Sequence, residues 1–271
     1  MITVAELAAR AEVVWRTASG DLFATPIIPL VIDGQVVAAL PFSQTPDARR
    51  LAEATTAVVV FSDSRMAWKG WTPCSVPVNV EVTVDRAGDW TWTGALDQEV
   101  RKHPPARLLM DTAIQRREHW WYVPRWIVRL HPRGPSTAIA RRAAPDDGVL
   151  VTPTAPGGSP GLTAHSVAVD DWHGDAVVVT PLDTATMWDA TTAHEALLCT
   201  HDFAIPDQER TSMFEVAGTL EDRCLRVTER RGQPDLPSTR LAHRIRRHFR
   251  LERACRRALA VYDASPPDTA T

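Results

Sequence analysis

The stretch LFATPIIPLVIDGQVVAALPFSQTPDARRLAEATTAVVVFSD, residues 22–63, decides how the chain reads. Residues 23–32 are apolar and rich in β-branched side chains, as a mostly buried strand requires. Asp33-Gly34 supplies the positive φ angles of a two-residue hairpin turn. Residues 35–40 run back as the partner strand, and Pro41 ends it. Pro46 opens a short run of helix formers that reaches Glu53, and residues 57–61 make a third apolar strand.

The pattern recurs in LTAHSVAVDDWHGDAVVVTPLDTATMWDATTAHEALLCTHD, residues 162–202. Gly34, Pro41 and Asp63 are answered at a near-constant offset by Gly174, Pro181 and Asp202. An apolar strand precedes each landmark proline and another precedes each landmark aspartate. This predicts two tandem copies of one β-rich unit. The chain of 271 residues has room for two domains of about 100–150 residues each.

With 44% hydrophobic and 23% charged residues, the composition is that of an ordinary globular protein. A net charge of −3 gives no general drive toward nucleic acid or an anionic membrane. No apolar run approaches the roughly 20 residues of a membrane span. Glu6 and Glu12 interrupt the place where a secretory leader needs an apolar core, which predicts a cytoplasmic protein. Cys74, Cys199, Cys224 and Cys255 show neither CxxC nor finger-like spacing, so free buried thiols are expected rather than a metal site. The bias toward Ala, Arg, Pro, Val and Trp, with few Lys, points to a GC-rich bacterial genome. No Ser-His-Asp, P-loop or dinucleotide-binding signature is present.

Around the central stretch, residues 3–17 are predicted as a helix, with Thr3 and Glu6 as a capping box and Leu7, Ala11 and Val14 inward. Residues 64–77 read as irregular and aromatic. Residues 78–85 (VNVEVTVD) alternate as a half-buried strand, with residues 90–95 as its hairpin partner. Helices follow over 96–102 and 106–118. Residues 119–131 form a closing strand whose Pro124 places it at an edge or a bulge. This sets a first domain at 1–132, a polar linker at 133–147, a second domain at 148–264 and a disordered tail at 265–271. In the second domain, 153–161 reads as a flexible loop and 184–195 takes the place of the short helix. Residues 197–200 form a strand, 214–220 and 224–228 a hairpin, and 237–262 a long basic helix. The arginines of that helix fall all round it, with Glu252 the only acid, so it reads as an exposed helix beside acidic surface rather than a nucleic-acid binder.

The order GDLFAT (20–25), DGQVVAALPF (33–42), a short helix, VVVFSDSR (58–65) and VNVEVTVD resembles the FMN-binding split-barrel superfamily that includes pyridoxamine 5′-phosphate oxidase. LDQEVRKHPPARLL and RREHWWYVPRWIV resemble an actinobacterial branch of these proteins. The resemblance implies an α+β fold. Two tandem six-stranded antiparallel split β-barrels with peripheral helices would form an intrachain pseudo-dimer, with a further homodimer left open. It also implies a flavin, FMN or a deazaflavin, in the crevice between barrels, serving oxidoreductase chemistry on a small molecule.

A flavin phosphate wants charge-assisted donors, and the ring wants an aromatic or aliphatic slot. The first-unit candidates are Ser43, Thr45, Arg49, Arg50, Ser62, Ser64, Arg65 and Lys69, with Trp68 and Trp71 for stacking. The second unit offers Thr180, Thr184, Thr200, Arg210, Thr211 and Ser212. With more cations in the first set, the cofactor site is expected at Ser43, Thr45, Arg50, Ser62, Arg65, Lys69 and Trp71, completed by Arg210. Trp120, Trp121 and Trp126 read as packing residues. Some split-barrel relatives bind or degrade haem, which makes His119, His194 and His201 alternative haem ligands. A third reading is a barrel protein that has lost its cofactor.

Overall fold

The computed structural model describes residues 1–154, 161–183, 193–238 and 241–265. The first unit is an antiparallel sheet of β1 (Ala11–Thr17), β2 (Leu22–Ile27), β3 (Leu30–Ile32), β4 (Gln35–Pro41), β5 (Ala54–Phe61), β6 (Cys74–Asp85), β7 (Arg125–Pro132) and β8 (Thr137–Ala138). The strand order is β2-β1-β5-β6-β7-β4-β3, with β8 added beside β6. The second unit is a closed antiparallel barrel of β9 (Gly148–Pro153), β10 (Leu162–Val169), β11 (Ala176–Pro181), β12 (His194–Phe203), β13 (Thr211–Glu221) and β14 (Cys224–Gly232). Its order, β10-β9-β12-β13-β14-β11-β10, is that of the first unit strand for strand, with β10 in the place of β2 and β3 together. The fold is α+β with two barrel-like units.

The β2 and β3 segments were expected as one strand. Pro29 has no N–H for a ladder and divides them: β2 pairs with β1 and β3 with β4, so the sheet is joined there by chain rather than by hydrogen bonds. Asp33 and Gly34 have φ of 49° and 72°, the double positive φ of the predicted hairpin turn. Pro41 and Pro181 end the equivalent strands β4 and β11.

The predicted helix over 3–17 is corrected. Helix α1 (Ile2–Leu7) stops after two turns, and Thr3 lies inside it rather than capping it. Residues 11–17 are strand β1, buried on both faces. Val13 and Trp15 face the first core, while Val14 faces the second unit. Burial on both faces removes the alternation that would have marked a strand. The expected hairpin partner at 90–95 is also absent. The Asp85 carboxylate accepts from the backbone N–H of Gly88, Asp89 and Trp90 at 2.6, 3.0 and 2.7 Å, turning the chain into a 3-10 turn and then α3 (Ala95–Lys102). Strand β6 begins at Cys74, within the stretch expected to be irregular, and pairs with β7. Strand β7 is interior, between β6 and β4, because Pro124 precedes it rather than interrupting it. Short helices α4 (Arg107–Met110) and α5 (Ala113–Glu118) replace the single helix expected there, and α2 (Thr45–Ala52) stands as expected. The loop at 155–160, most of the helix expected at 184–195, and the tail from 266 lie outside the described residues.

The units meet through an apolar layer in which Val14, Ala24, Val58 and Val60 face Val149, Val151, Leu162, Leu197 and Cys199. The long C-terminal helix α6 (Leu241–Ala264) follows the second unit in sequence but packs on the first. Cys255 and Leu259 belong to the first unit's core, with Leu251, Ala258 and Tyr262 against it, a stripe of helical period. Its arginines are sorted by partner rather than spread uniformly. Arg244 pairs with Glu209 and Arg256 with Glu252, whereas Arg246, Arg250, Arg253 and Arg257 form one exposed outer stripe with no ion pair among the described residues. No helix among the described residues is long and apolar enough to cross a membrane.

Candidate functional site

Two buried polar networks join the units. In the first, Arg142, from the segment expected to be a polar linker, is 2% exposed. It donates to Glu12 Oε1 at 2.5 Å and to Ser62 Oγ at 2.6 Å. Burial pushes the Glu12 carboxyl up, opposed by Arg142 beside it. Arg65 holds Asp63 through a contact at 2.6 Å, donates to the His201 carbonyl at 2.9 Å, and reaches Asp202 with its other terminal nitrogen. Its guanidinium lies 4.3 Å from the centroid of Phe203. Asp63 and Asp202, one from each unit, thus meet on one arginine. Three carboxylates surround the two guanidinium groups.

The eight residues expected at a cofactor site do not converge. Ser62 and Arg65 belong to the network just described. Thr45 Oγ1 donates to the Phe42 carbonyl at 2.7 Å and accepts from Trp126 Nε1 at 2.9 Å. Arg50 stands exposed on α2, 3.7 Å from Asp47 and over the Phe23 ring. Lys69 is exposed in a loop, and Trp71 is buried in the first core. Ser43 lines the cleft described next, and Arg210, which donates to the Pro237 carbonyl at 3.4 Å, is felt electrostatically by Arg247 of that cleft. Of the other second-unit candidates, Thr200 and Ser212 donate to backbone carbonyls, Thr180 is exposed, and Thr184 lies outside the described residues.

The cleft lies where α3–α5, the β12–β13 connection and α6 converge. Its outer chamber has a volume of about 550 Å³ and is walled by Leu108, Leu109, Ile245 and Leu251, with Tyr122, His103, Gln208 and Thr211 supplying polar groups. Arg244, Arg247 and His248 also line it. Burial lowers the Arg247 guanidinium; Glu209 opposes this, while neighbouring Arg244 and Arg210 add to it. Arg244, paired with Glu209, and Arg247 therefore line the rim, with Arg210 near enough to act on Arg247. An inner chamber of about 290 Å³ shares His103, Tyr122, Thr211 and Leu251 with the outer one and reaches Arg10, Ser43, Glu99 and His201.

The floor of the cleft is the second network. Arg10, between α1 and β1, donates to His103 Nδ1 at 2.7 Å and to Gln208 Oε1. Gln208 donates in turn to the Lys102 carbonyl at 2.9 Å. Burial and the adjacent Arg10 hold His103 down at about 3, so its ring is neutral. With Nδ1 accepting from a guanidinium, the ring hydrogen sits on Nε2, which makes that nitrogen a donor. Lys102 donates to the carbonyls of Ala5 and Pro29, both at 2.5 Å, and burial lowers it to about 7. Arg125 lies 3.5 Å from Glu99, whose carboxyl burial pushes up.

Of the expected haem ligands, His201 is buried in the inner chamber with Nδ1 unpartnered. The His119 ring lies 5.9 Å from those of Trp121 and His248, and His194 begins β12. Sequence reasoning missed Arg10, His103, Tyr122, Gln208 and Arg142. One signal was there: Arg10 stands in the small apolar run AARAEVV, where a charge must be buried with its partners.

No protein-family model matches the chain, and no curated protein matches it. Solved structures do. One is a Clostridium acetobutylicum protein related to general stress protein 26 of B. subtilis, of the pyridoxinephosphate oxidase family: 15% identity, TM-score 0.33, covering 50% of this chain and 84% of that one. A second is HutZ, the heme storage protein from Vibrio cholerae: 11% identity, TM-score 0.33, covering 50% and 89%. A third is a heme binding protein from Mycobacterium smegmatis: 10% identity, TM-score 0.29, covering 95% and 96%.

Proposed function

We propose that this chain is a split-barrel oxidoreductase that binds a planar, anion-bearing redox cofactor, FMN or a deazaflavin, in the cleft and acts on a small molecule. The observation that carries this reading is a single cleft with apolar walls, a rim of arginines and a polar floor, built jointly by the first unit, the β12–β13 connection and α6. The residues fit such a group. Arg247 offers the charge-assisted donors a phosphate wants, with Arg210 adding positive potential beside it. Leu108, Leu109, Ile245 and Leu251 give a ring its apolar slot, and His103 Nε2 and Gln208 stand at its edge. A bound flavin supplies the electron transfer; the protein binds, orients and excludes water.

Haem is the second reading, favoured by neutral His201 in the inner chamber and by His248 on the wall of the outer one. We also read the two units as duplicated copies acting as a pseudo-dimer, over 1–132 and 148–264, in the cytoplasm. The shared strand order and the meeting of Asp63 and Asp202 on Arg65 support the duplication. An experimental structure in which the two barrels fail to superpose strand for strand would remove it.

The test of the cofactor is an absorption titration with FMN, a deazaflavin and haemin. Expected is a perturbed flavin spectrum at micromolar concentrations, weakened at least about tenfold in Arg247→Glu, the scale of one lost charge-assisted contact. A Soret shift with haemin and no flavin change moves the assignment to haem. No spectral change with any of the three overturns the cofactor reading.

A further inference from the structure

We propose that the inner chamber is a binding site for a small monocarboxylate with an apolar body, held by Arg10. Arg10 is 7% exposed and makes no ion pair among the described residues. The partners of its guanidinium are neutral: His103 Nδ1 and the Gln208 side-chain oxygen. Its Nε has no hydrogen-bond partner. Glu99 and Asp63 act on it only from beyond ion-pair distance. A buried cation without a close anion, beside empty volume, is costly for a fold to keep, and an anion in that volume lowers the cost. A second unpartnered nitrogen, Nδ1 of His201, belongs to a residue lining the same chamber. The two come from different units, Arg10 ahead of β1 and His201 within β12, so the chamber is complete only when the units are docked.

The chamber also sets the class of anion. The carboxylate of Glu99, which lines it too, faces Arg125 at 3.5 Å, and the Asp63 and Asp202 carboxylates are held by Arg65. Arg10 is the one arginine of the chamber's lining, and Glu99, whose Oε2 has no hydrogen-bond partner, shares that lining, which favours one negative charge over the two of a phosphate. The rest of the lining is mainly apolar, including Pro26, Ile27, Ile28 and Leu40. A volume of about 290 Å³ equals roughly ten water volumes, the size of an aromatic or short aliphatic acid. This site deepens the proposed function, since such an acid would be the small molecule presented to a ring in the adjoining outer chamber. Its binding is measurable without any cofactor, so the two readings fail separately.

The experiment is calorimetric titration of the cofactor-free chain with benzoate, its neutral isostere benzamide, and inorganic phosphate. Expected is benzoate binding at least tenfold tighter than benzamide, and no phosphate binding in the same range. Arg10→Gln keeps a hydrogen-bonding side chain and is expected to abolish the preference, while Arg10→Lys retains part of it. Should Arg10→Gln fail to fold, the wild-type comparison of benzoate with benzamide still decides. Equal affinity for benzoate and benzamide, phosphate binding in place of benzoate, no benzoate binding, or a preference that survives in folded Arg10→Gln each overturns the proposal.

Discussion

Replacing Arg65 by Met tests the junction between the two units. The side chain is 9% exposed, with Asp63 at 3% and Asp202 at 16%, so solvent screens little of the loss. Without the guanidinium, two carboxylates are left close together with no cation between them. Removing one partner of a buried ion pair costs about 3–5 kcal/mol, chiefly because the other charge stays buried and unpaired. For units of this size that corresponds to roughly 6–20 °C in Tm. The partial test of mechanism is Arg65→Met combined with Asp202→Asn, which deletes one of the opposed charges. Coupled neighbours deviate from additivity by about 0.5–3 kcal/mol, so the double variant is expected to recover stability within that range over the single one. Urea unfolding followed by tryptophan fluorescence and far-UV circular dichroism reads both. An Arg65→Met variant within about 1 kcal/mol of wild type, or a double variant no more stable than the single, refutes the idea that this arginine clamps the landmark aspartates.

Two further outcomes follow from the packing. Because His103 is held at about 3 against an ordinary 6.5, the unfolded chain takes up its proton first as pH falls. That contribution is fully present above 6.5 and is lost toward pH 3, by up to about 1.4 kcal/mol per pH unit. His103→Gln is therefore expected to flatten the acid limb of stability against pH, and an unchanged slope in urea midpoints across that range contradicts it. Leu259→Ala, at a 2% exposed position of α6, is expected to cost about 2–5 kcal/mol. Amide exchange should quicken in β4 and β7 of the first unit, not in β12 and β13; the reverse pattern would place α6 with the second unit.

The two-unit organisation was legible because its landmarks answer to backbone geometry. Gly34 must take positive φ, and Pro41 must end a strand whose next N–H it cannot supply. Alternation exposed β6, whose outer half faces solvent on one side. It hid β1, where Val13, Val14 and Trp15 are all buried between two layers and no polar face remains to mark the period. The candidate site was less readable. Phosphate chemistry points to clustered cations, but Arg65 is spent on aspartates, one of them distant in sequence, and Arg50 faces solvent. Residue type at one position cannot reveal which charges are already compensated; that depends on pairs such as Glu12 and Arg142, brought together from opposite ends of the first unit and its linker.

The same reasoning explains why the cleft lies where it does. Had each unit kept its own hydrophobic cover, the linker would be a tether and the C-terminal helix an ornament of the second barrel. Instead Arg142 buries its charge against Glu12 and Ser62, and Leu251, Cys255 and Leu259 carry α6 back over the first core. Crossing back leaves a gap between α6 and the β12–β13 connection, and that gap is the outer chamber, lined from α6 by Arg247, His248 and Leu251 and from the connection by Gln208 and Glu209. A helix displaced from the first core would therefore open the site as well as expose apolar surface. The Leu259→Ala variant, loosened there, is accordingly expected to lose flavin affinity in proportion to its loss of stability, whereas Arg247→Glu, which also sets a carboxylate beside Glu209, is expected to lose more affinity than its loss of stability accounts for. Proportional loss in both variants would mean that the rim arginine acts only through the helix, and would return Arg247 to a structural role.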